Sequence, residues 1–314
     1  MTSLVSGSAL LLADDLSRTG ASLRALQKAV ARGEVVRIRR GAYCEAARWA
    51  ALDGRGRHLL RMRAVAAMST KDIVFCGASA AAAWDLPRPG GWDETVHVAV
   101  ADTRGGRSHG DIRCRAIPSP DAAVAEVDGF LVTGRASTAV QEALDQEFVM
   151  AVGILDAALR KRDPRSVTRP DLLAELAKLQ PRRHATRALA AIDLASPLSE
   201  SFGESVARAR LHELGFPPPL LQVPMSDERG FIGRVDFYWP ESRVVGEFDG
   251  AVKYQRPEFL NGRTPEQALW LEKQREDRLR RQAAGVFRAV WADVMEPARL
   301  GRIARAAGLL PSPR

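Results

Sequence analysis

The stretch that most constrains the fold of this 314-residue chain runs over residues 234–253, RVDFYWPESRVVGEFDGAVK. Residues 234–239 are aromatic and β-branched, Pro240-Glu241-Ser242 carries turn chemistry, and residues 243–249 form a second such segment ending at Gly250. The pattern predicts two short strands joined by a tight turn. Side chains alternate faces along a strand, so Asp236 is set apart from Val235, Phe237 and Trp239. Glu247 and Asp249 share a face with Val245, opposite Val244 and Phe248. An even loop centred on Glu241-Ser242 puts Asp236 directly across from Glu247, and Arg234 across from Asp249. Directly opposed Cβ atoms lie roughly 4.5–5.5 Å apart, and like charges there are destabilising. Neither Asp236 nor Glu247 has a basic residue opposite, so the pair calls for a cation. Hard ions such as Mg²⁺ are commonly held by one or two carboxylates plus substrate phosphates.

A third carboxylate belongs near this pair. Ser201-Phe-Gly-Glu204 reads as a capping box that opens a helix ending near Gly215. Glu204, Ala207, Leu211 and Leu214 recur at helical spacing, so Glu204 faces inward on an otherwise apolar stripe. Downstream, Thr264-Pro265-Glu266-Gln267 is a second capping box, with Pro at the first helical position of a helix running to about residue 284. That helix places Arg275 and Arg278 about one turn apart, a face suited to phosphates or to pairing with Glu272, Glu276 and Asp277. Residues 286–291 form a last buried strand and 297–307 a last helix.

The order helix, three strands, helix, strand over residues 197–307 resembles the PD-(D/E)XK nuclease core. More closely it is similar to the small Vsr-like endonuclease domains, on the strength of RVDFYWPE and EFDG. The resemblance implies that Glu204, Asp236 and Glu247 bind Mg²⁺ (or Mn²⁺) and activate water for phosphodiester hydrolysis, with Asp249 nearby. The lysine that the broad pattern places two residues after the glutamate is Asp249 here. Vsr-like domains also lack it and often carry a His a few residues on, where this chain has Lys253. Lys253 is the residue that would assist catalysis or neutralise the transition state.

The N-terminal residues read differently. Residues 9–16 are a short apolar helix, Thr19-Gly20-Ala21 a turn, and Ser22 caps a helix to about Arg32 that buries Leu23, Leu26 and Val30. Arg24, Gln27 and Lys28 face away, and Gly33 stops the helix. Residues 35–38 and 41–44 then form a hairpin with Arg37, Arg39 and Arg40 around its tip. Helix, turn, helix and basic hairpin is the pattern of a winged helix, whose second helix enters the major groove while the wing meets phosphates or the minor groove. The run AVARGEVVRIRRGAY resembles the N-terminal domain of AbiEi-type antitoxins, transcriptional autorepressors of type IV toxin–antitoxin systems. CGASAAAAWDLP, HVAV, TGRASTAV and LDAALR extend that resemblance into a middle α/β region. Ser79 lacks the second glycine of a nucleophile elbow, Gly105-Gly106 in the loop of Arg104 and Arg107 is no P-loop, and His97 reads as packing. Residues 180–197 read as a linker whose Arg182, Arg183 and Arg187 track a backbone or a solvated turn.

The expected class is thus a multidomain α+β and α/β chain. It comprises a winged helix-turn-helix over 1–55, an AbiEi-like α/β middle domain over 56–196, and an αβββαβ nuclease-like domain over 197–314. Lys and Arg number 46 against 38 Asp and Glu, a net charge of +8 that favours polyanionic partners. Cys44, Cys76 and Cys114 follow no metal or disulfide spacing, which suits a reducing cytoplasm. No apolar run of about 18 residues occurs, and residues 1–13 lack a basic n-region, so neither a membrane span nor a signal peptide is expected. Two functions follow. One is a metal-dependent endonuclease acting on double-stranded DNA. The other is an AbiEi-like antitoxin and autorepressor with a degenerate nuclease domain, partnered by a nucleotidyltransferase-type toxin.

Overall fold

The computed structural model describes residues 10–13, 23–100, 108, 110–116, 123–179, 184–250 and 264–312. Ser22, Arg104, Arg107, Arg182, Arg183 and Lys253 lie outside the described residues. The fold is mixed α/β, with three sheets and twelve helices among the described residues. Contacts divide the chain into two compact units, Met1–Glu142 with Ala174–Arg182, and Ala143–Leu173 with Arg183–Arg314.

The first unit opens on a small three-stranded sheet. Its strands are β1 (Leu11–Leu12), β2 (Val35–Arg39) and β3 (Ala42–Glu45), in the order β1-β3-β2. The strand at Leu11–Leu12 corrects the helix expected over 9–16. Those two leucines pair with Tyr43 and Ala42, so an available sheet edge overrides a short apolar segment's weak helical preference. The Leu23–Ala31 helix packs Leu26 and Ala29 on Val35, and Gly33, at φ +72°, ends it. A five-stranded sheet follows, built from β4 (Val74–Phe75), β5 (Val96–Val100), β6 (Ile112–Ala116), β7 (Val124–Val127) and β8 (Phe130–Thr133). Its order is β6-β5-β4-β8-β7. The Ala-rich Gly77–Ala83 helix is buried throughout, since small side chains let its backbone approach the strands closely.

The second unit runs helix Phe202–Glu213, β9 (Leu220–Asp227), β10 (Gly230–Trp239), β11 (Val244–Phe248), helix Pro265–Gln282, β12 (Gly285–Ala289). The sheet order is β12-β11-β10-β9, with β11 and β12 parallel and the remaining pairs antiparallel. Leu279, fully buried, fixes the long helix on Ile232, Val235 and Val245. Burial of such a side chain contributes about 1.5–3 kcal/mol. An exposed ion pair such as Arg280 with Glu276 contributes about 0–1 kcal/mol, so Leu279 and not the charges docks this helix. Thr264 and Gln267 form the reciprocal cap expected from the sequence, with Pro265 at the first position.

The stretch expected as a linker contains the Ala185–Leu194 helix, a correction. Ala188, Ala191 and Ile192 are its buried stripe, at helical spacing. Helix Phe148–Leu159, buried along nearly its whole length, packs on Phe202–Glu213 and carries Asp156. Asp156 takes two bonds from Arg208 Nη2, at 2.8 and 3.0 Å, in full burial.

Candidate active site

The turn between β10 and β11 sets the register. Phe237 faces Gly246, Tyr238 faces Val245 and Trp239 faces Val244. These three rungs have the register of the even loop, and extended by one step it sets Asp236 across from Glu247. Both carboxylates line one open cleft of about 300 Å³ with Arg234, Asp249, Glu272, Arg275 and Arg288. Phe248 N donates to Asp236 Oδ2 at 2.9 Å.

Glu204 joins them from the first turn of its helix, 8 % exposed. Ser201 Oγ accepts from Glu204 N at 3.1 Å, which is half of the expected capping box. The other half departs from expectation: Glu204 Oε2 accepts from Glu200 N at 3.0 Å and from the Gln222 side chain at 2.8 Å. Gly203 makes this approach possible, because a Cβ there would lie 2.0 Å from the Phe248 ring.

Gln222 was not singled out by the sequence. Its Nε2 donates to Glu204 and also, at 3.3 Å, to Asp236 Oδ1, so one neutral amide bridges two acidic groups. It does so from a left-handed backbone, φ +55°, inside β9. A non-glycine residue held there costs of order 1–3 kcal/mol, and such residues cluster at functional sites. The available signal was the lone amide in LLQVPM, opposite Asp236 in the β9–β10 pairing.

The absence of a basic neighbour for the acidic pair is corrected. Arg275 Nη2 donates to Glu247 Oε1 at 2.5 Å, and its Nη1 lies 3.4 Å from Oε2. Arg288, the register partner of Glu247 on β12, donates from Nε to Oε2 at 3.2 Å. Arg275 also bonds Glu272 at 3.1 Å, and Arg288 bonds Glu272 as well. Burial works against the charge on both arginines, yet Glu247 and Glu272 raise their pKa values above the ordinary one. The positive charge beside Glu247 comes from the long helix and from β12.

Two further expectations change. Arg234 donates to Glu200, itself 2.8 Å from Arg162, and not to Asp249. Arg278 is not a free phosphate ligand beside Arg275. It bonds Asp227 twice, with Nε at 2.8 Å, and caps the carbonyls of Gly230 and Phe231 at the β9–β10 turn. That hydrogen bond holds the Asp227 carboxyl down at about 2.

Asp236, Glu247 and Glu204 offer a donor set of oxygens, right in kind for Mg²⁺ or Mn²⁺. Among the described residues no three His, Cys, Asp or Glu side chains are spaced as a ready-made metal cage. Asp236 and Glu247, which line the same cleft, are the pair that could hold an ion there.

In the first unit, Arg24, Gln27 and Lys28 are exposed along one helix, and Arg37 and Arg40 are exposed on the β2–β3 hairpin. Arg39 is instead half-buried and 3.5 Å from Asp111, so it leaves the solvent-facing set. Ser79 does meet a histidine: His58 Nε2 lies 3.0 Å from Ser79 Oγ, which also accepts from His97 N at 2.8 Å. His58, Ser79 and His97 are at most 1 % exposed, so no substrate reaches them and they pack, as expected of His97.

No known family's sequence profile matches the chain. It is 33 % identical over 144 residues to the uncharacterized protein Rv2248 of Mycobacterium tuberculosis, strain H37Rv. The uncharacterized protein MT2308 of strain CDC 1551 matches to the same extent. The match spans 46 % of this chain and 52 % of each relative, so the chain spans about half the length of the curated relatives it matches. Among solved structures, the RV2827C protein from M. tuberculosis is 17 % identical with a TM-score of 0.39, over 63 % of this chain and 75 % of that one. That likeness is too slight to argue from. No described helix is long and apolar enough to cross a membrane.

Proposed function

We propose that this chain binds double-stranded DNA and that its second unit carries a PD-(D/E)XK-type, Vsr-like site for metal-dependent hydrolysis of DNA phosphodiesters. The observation that carries this reading is that Asp236 and Glu247 line one open cleft, with Glu204 tied to Asp236 through Gln222. The element order helix, three strands, helix, strand supports it. Asp236 and Glu247 would hold a Mg²⁺ or Mn²⁺ ion, which would supply phosphate polarisation and a more acidic water. Gln222 would orient Asp236 against Glu204, and Arg275 and Arg288 would face the phosphate. The exposed row Arg24, Gln27, Lys28 with Arg37 and Arg40 fits a winged helix that brings the chain to duplex DNA. Incubation with supercoiled plasmid and Mn²⁺ tests the reading. Nicking is expected in the native protein and reduced at least about a hundredfold in Asp236→Ala. No nicking, or nicking that survives Asp236→Ala, removes it.

A second reading has its own observation. Glu247 already carries two guanidiniums, and Asp249 stands where the nuclease pattern has lysine. This favours an AbiEi-like antitoxin and autorepressor with a degenerate nuclease fold, partnered by a nucleotidyltransferase-type toxin. A gel shift on the gene's own promoter tests it. Binding should weaken, and its salt slope fall by about one per arginine, in Arg37→Ala and Arg40→Ala. Arg39→Ala should matter less, because Asp111 engages it.

A further inference from the structure

Glu247 is held in an unusual way for a carboxylate on the wall of an open cleft. Both its oxygens accept from Arg275, and Oε2 accepts from Arg288 as well. The two arginines reach it from different elements, the long helix and β12. Arg275 does so by lying across β10 at Gly233, where a Cβ would come within 2.7 Å of its Nε. A side chain at that position would force the Arg275 guanidinium to shift. Asp236, in the same cleft, accepts from the Gln222 amide and from Phe248 N.

We infer that Arg275 and Arg288 form a phosphodiester subsite that Glu247 occupies until DNA arrives, so that phosphate binding and divalent-cation binding are coupled. The inference rests on the hydrolytic reading above. A guanidinium fork grips carboxylate and phosphate with the same bidentate geometry, so exchanging one for the other costs little. Once a phosphate takes the arginines, Glu247 is released beside Asp236 on the wall of the same cleft. The freed carboxylate oxygens are hard donors that a divalent ion can take together with Asp236. Without DNA the arginines neutralise Glu247 and keep the ion's affinity low. Coupling of this kind is reciprocal: DNA tightens the ion and the ion tightens DNA by one factor.

The test is Mn²⁺ binding to the full chain, followed by electron paramagnetic resonance, with and without a short phosphorothioate duplex that resists cleavage. In the native protein the duplex should raise Mn²⁺ affinity, roughly 5- to 150-fold. Arg275→Gln should bind Mn²⁺ more tightly than the native chain in the absence of DNA and gain little when the duplex is added. Gly233→Val, which keeps the arginine but denies it the place, should behave the same way, and it serves if Arg275→Gln fails to fold. Mn²⁺ affinity that ignores the duplex, while Asp236→Ala abolishes it, overturns the coupling and leaves the metal site standing. Weaker Mn²⁺ binding in both Arg275→Gln and Gly233→Val also overturns it. Mn²⁺ binding that is absent throughout, or indifferent to Asp236→Ala, removes the hydrolytic reading and the coupling with it.

Discussion

Arg208 and Arg275 make the same bond in two different places. Arg208 meets Asp156 inside the second unit, where the side chains are 6 % and 0 % exposed. Asp156 also accepts from Ser196 N at 2.7 Å, and Arg208 donates to Leu194 O at 2.8 Å. One guanidinium and one carboxylate are locked between two helices, and nothing from outside can compete for them. Arg275 meets Glu247 on the wall of an open cleft and shares it with Arg288, while both arginines also touch Glu272. The bond chemistry is equal and the access is not. In the first place the pair is a structural staple. In the second, on the coupling proposed above, it is binding capacity held in reserve.

The largest expected effect comes from breaking the staple. Asp156→Ala leaves a buried guanidinium without its carboxylate and should cost about 3–5 kcal/mol of stability. Glu247→Gln leaves Arg275 and Arg288 with Glu272 and partial solvent contact, and should cost about 1 kcal/mol. Urea midpoints of the two variants decide this. If Glu247→Gln destabilises as much as Asp156→Ala, the distinction between staple and reserve is lost.

Next in size is a buried imidazole for which burial outweighs the help of the nearby Asp93 carboxylate. The His97 ring nitrogens have no hydrogen-bond partner in the described structure, and the residue is 1 % exposed. Burial, with Arg115 adding to it, pushes the imidazole down to about 4, and burial lowers His58 too. The folded state therefore keeps His97 neutral, while the unfolded chain takes up a proton near pH 6.5. Below that pH the unfolded state binds more protons, so stability present above about pH 6.5 is lost as pH falls toward 4. The loss should reach roughly 1–3 kcal/mol. Asp227, held at about 2, loses its contribution only at lower pH, between its ordinary range and that value. Urea midpoints at pH 7 and pH 5 check the window. His97→Gln should show a clearly smaller drop, and an equal drop in both proteins refutes the assignment.

The smallest effect on stability belongs to the bridge inside the cleft. Gln222→Ala removes two side-chain hydrogen bonds and should cost about 1 kcal/mol. Its effect on Mn²⁺ affinity should be larger than its effect on the urea midpoint, because Asp236 loses its orientation toward Glu204. Equal loss in Gln222→Ala and in an unrelated surface variant would show that the bridge only fills space.

The parts of this architecture that were legible in the sequence are those set by neighbours along the chain. The β10–β11 register follows from a short turn, since hairpin loop length fixes which residues face each other. The caps at Ser201 and Thr264 follow from residues three apart. What was not legible depends on distant residues. Arg288 reaches Glu247 because β12 lies parallel to β11 after a helical crossover, and no local pattern fixes that register. Arg278 goes to Asp227, 51 residues away, because Leu279 docks the helix in one rotation. Gln222 depends on a left-handed residue within a strand, which propensity argues against. The Leu11–Leu12 strand exists because β3 offers it an edge. In the Ala185–Leu194 helix the signal was present, as Ala188, Ala191 and Ile192, but surrounding arginines drew it toward a linker reading.

The most direct test of the central claim is a crystal structure of the full chain with Mn²⁺ and an uncleavable duplex, using the ion's anomalous signal. The expected result is an ion between Asp236 and Glu247, with Arg275 and Arg288 turned onto a DNA phosphate. Duplex bound in the crystal with no ion on Asp236, and both arginines still on Glu247, would contradict it.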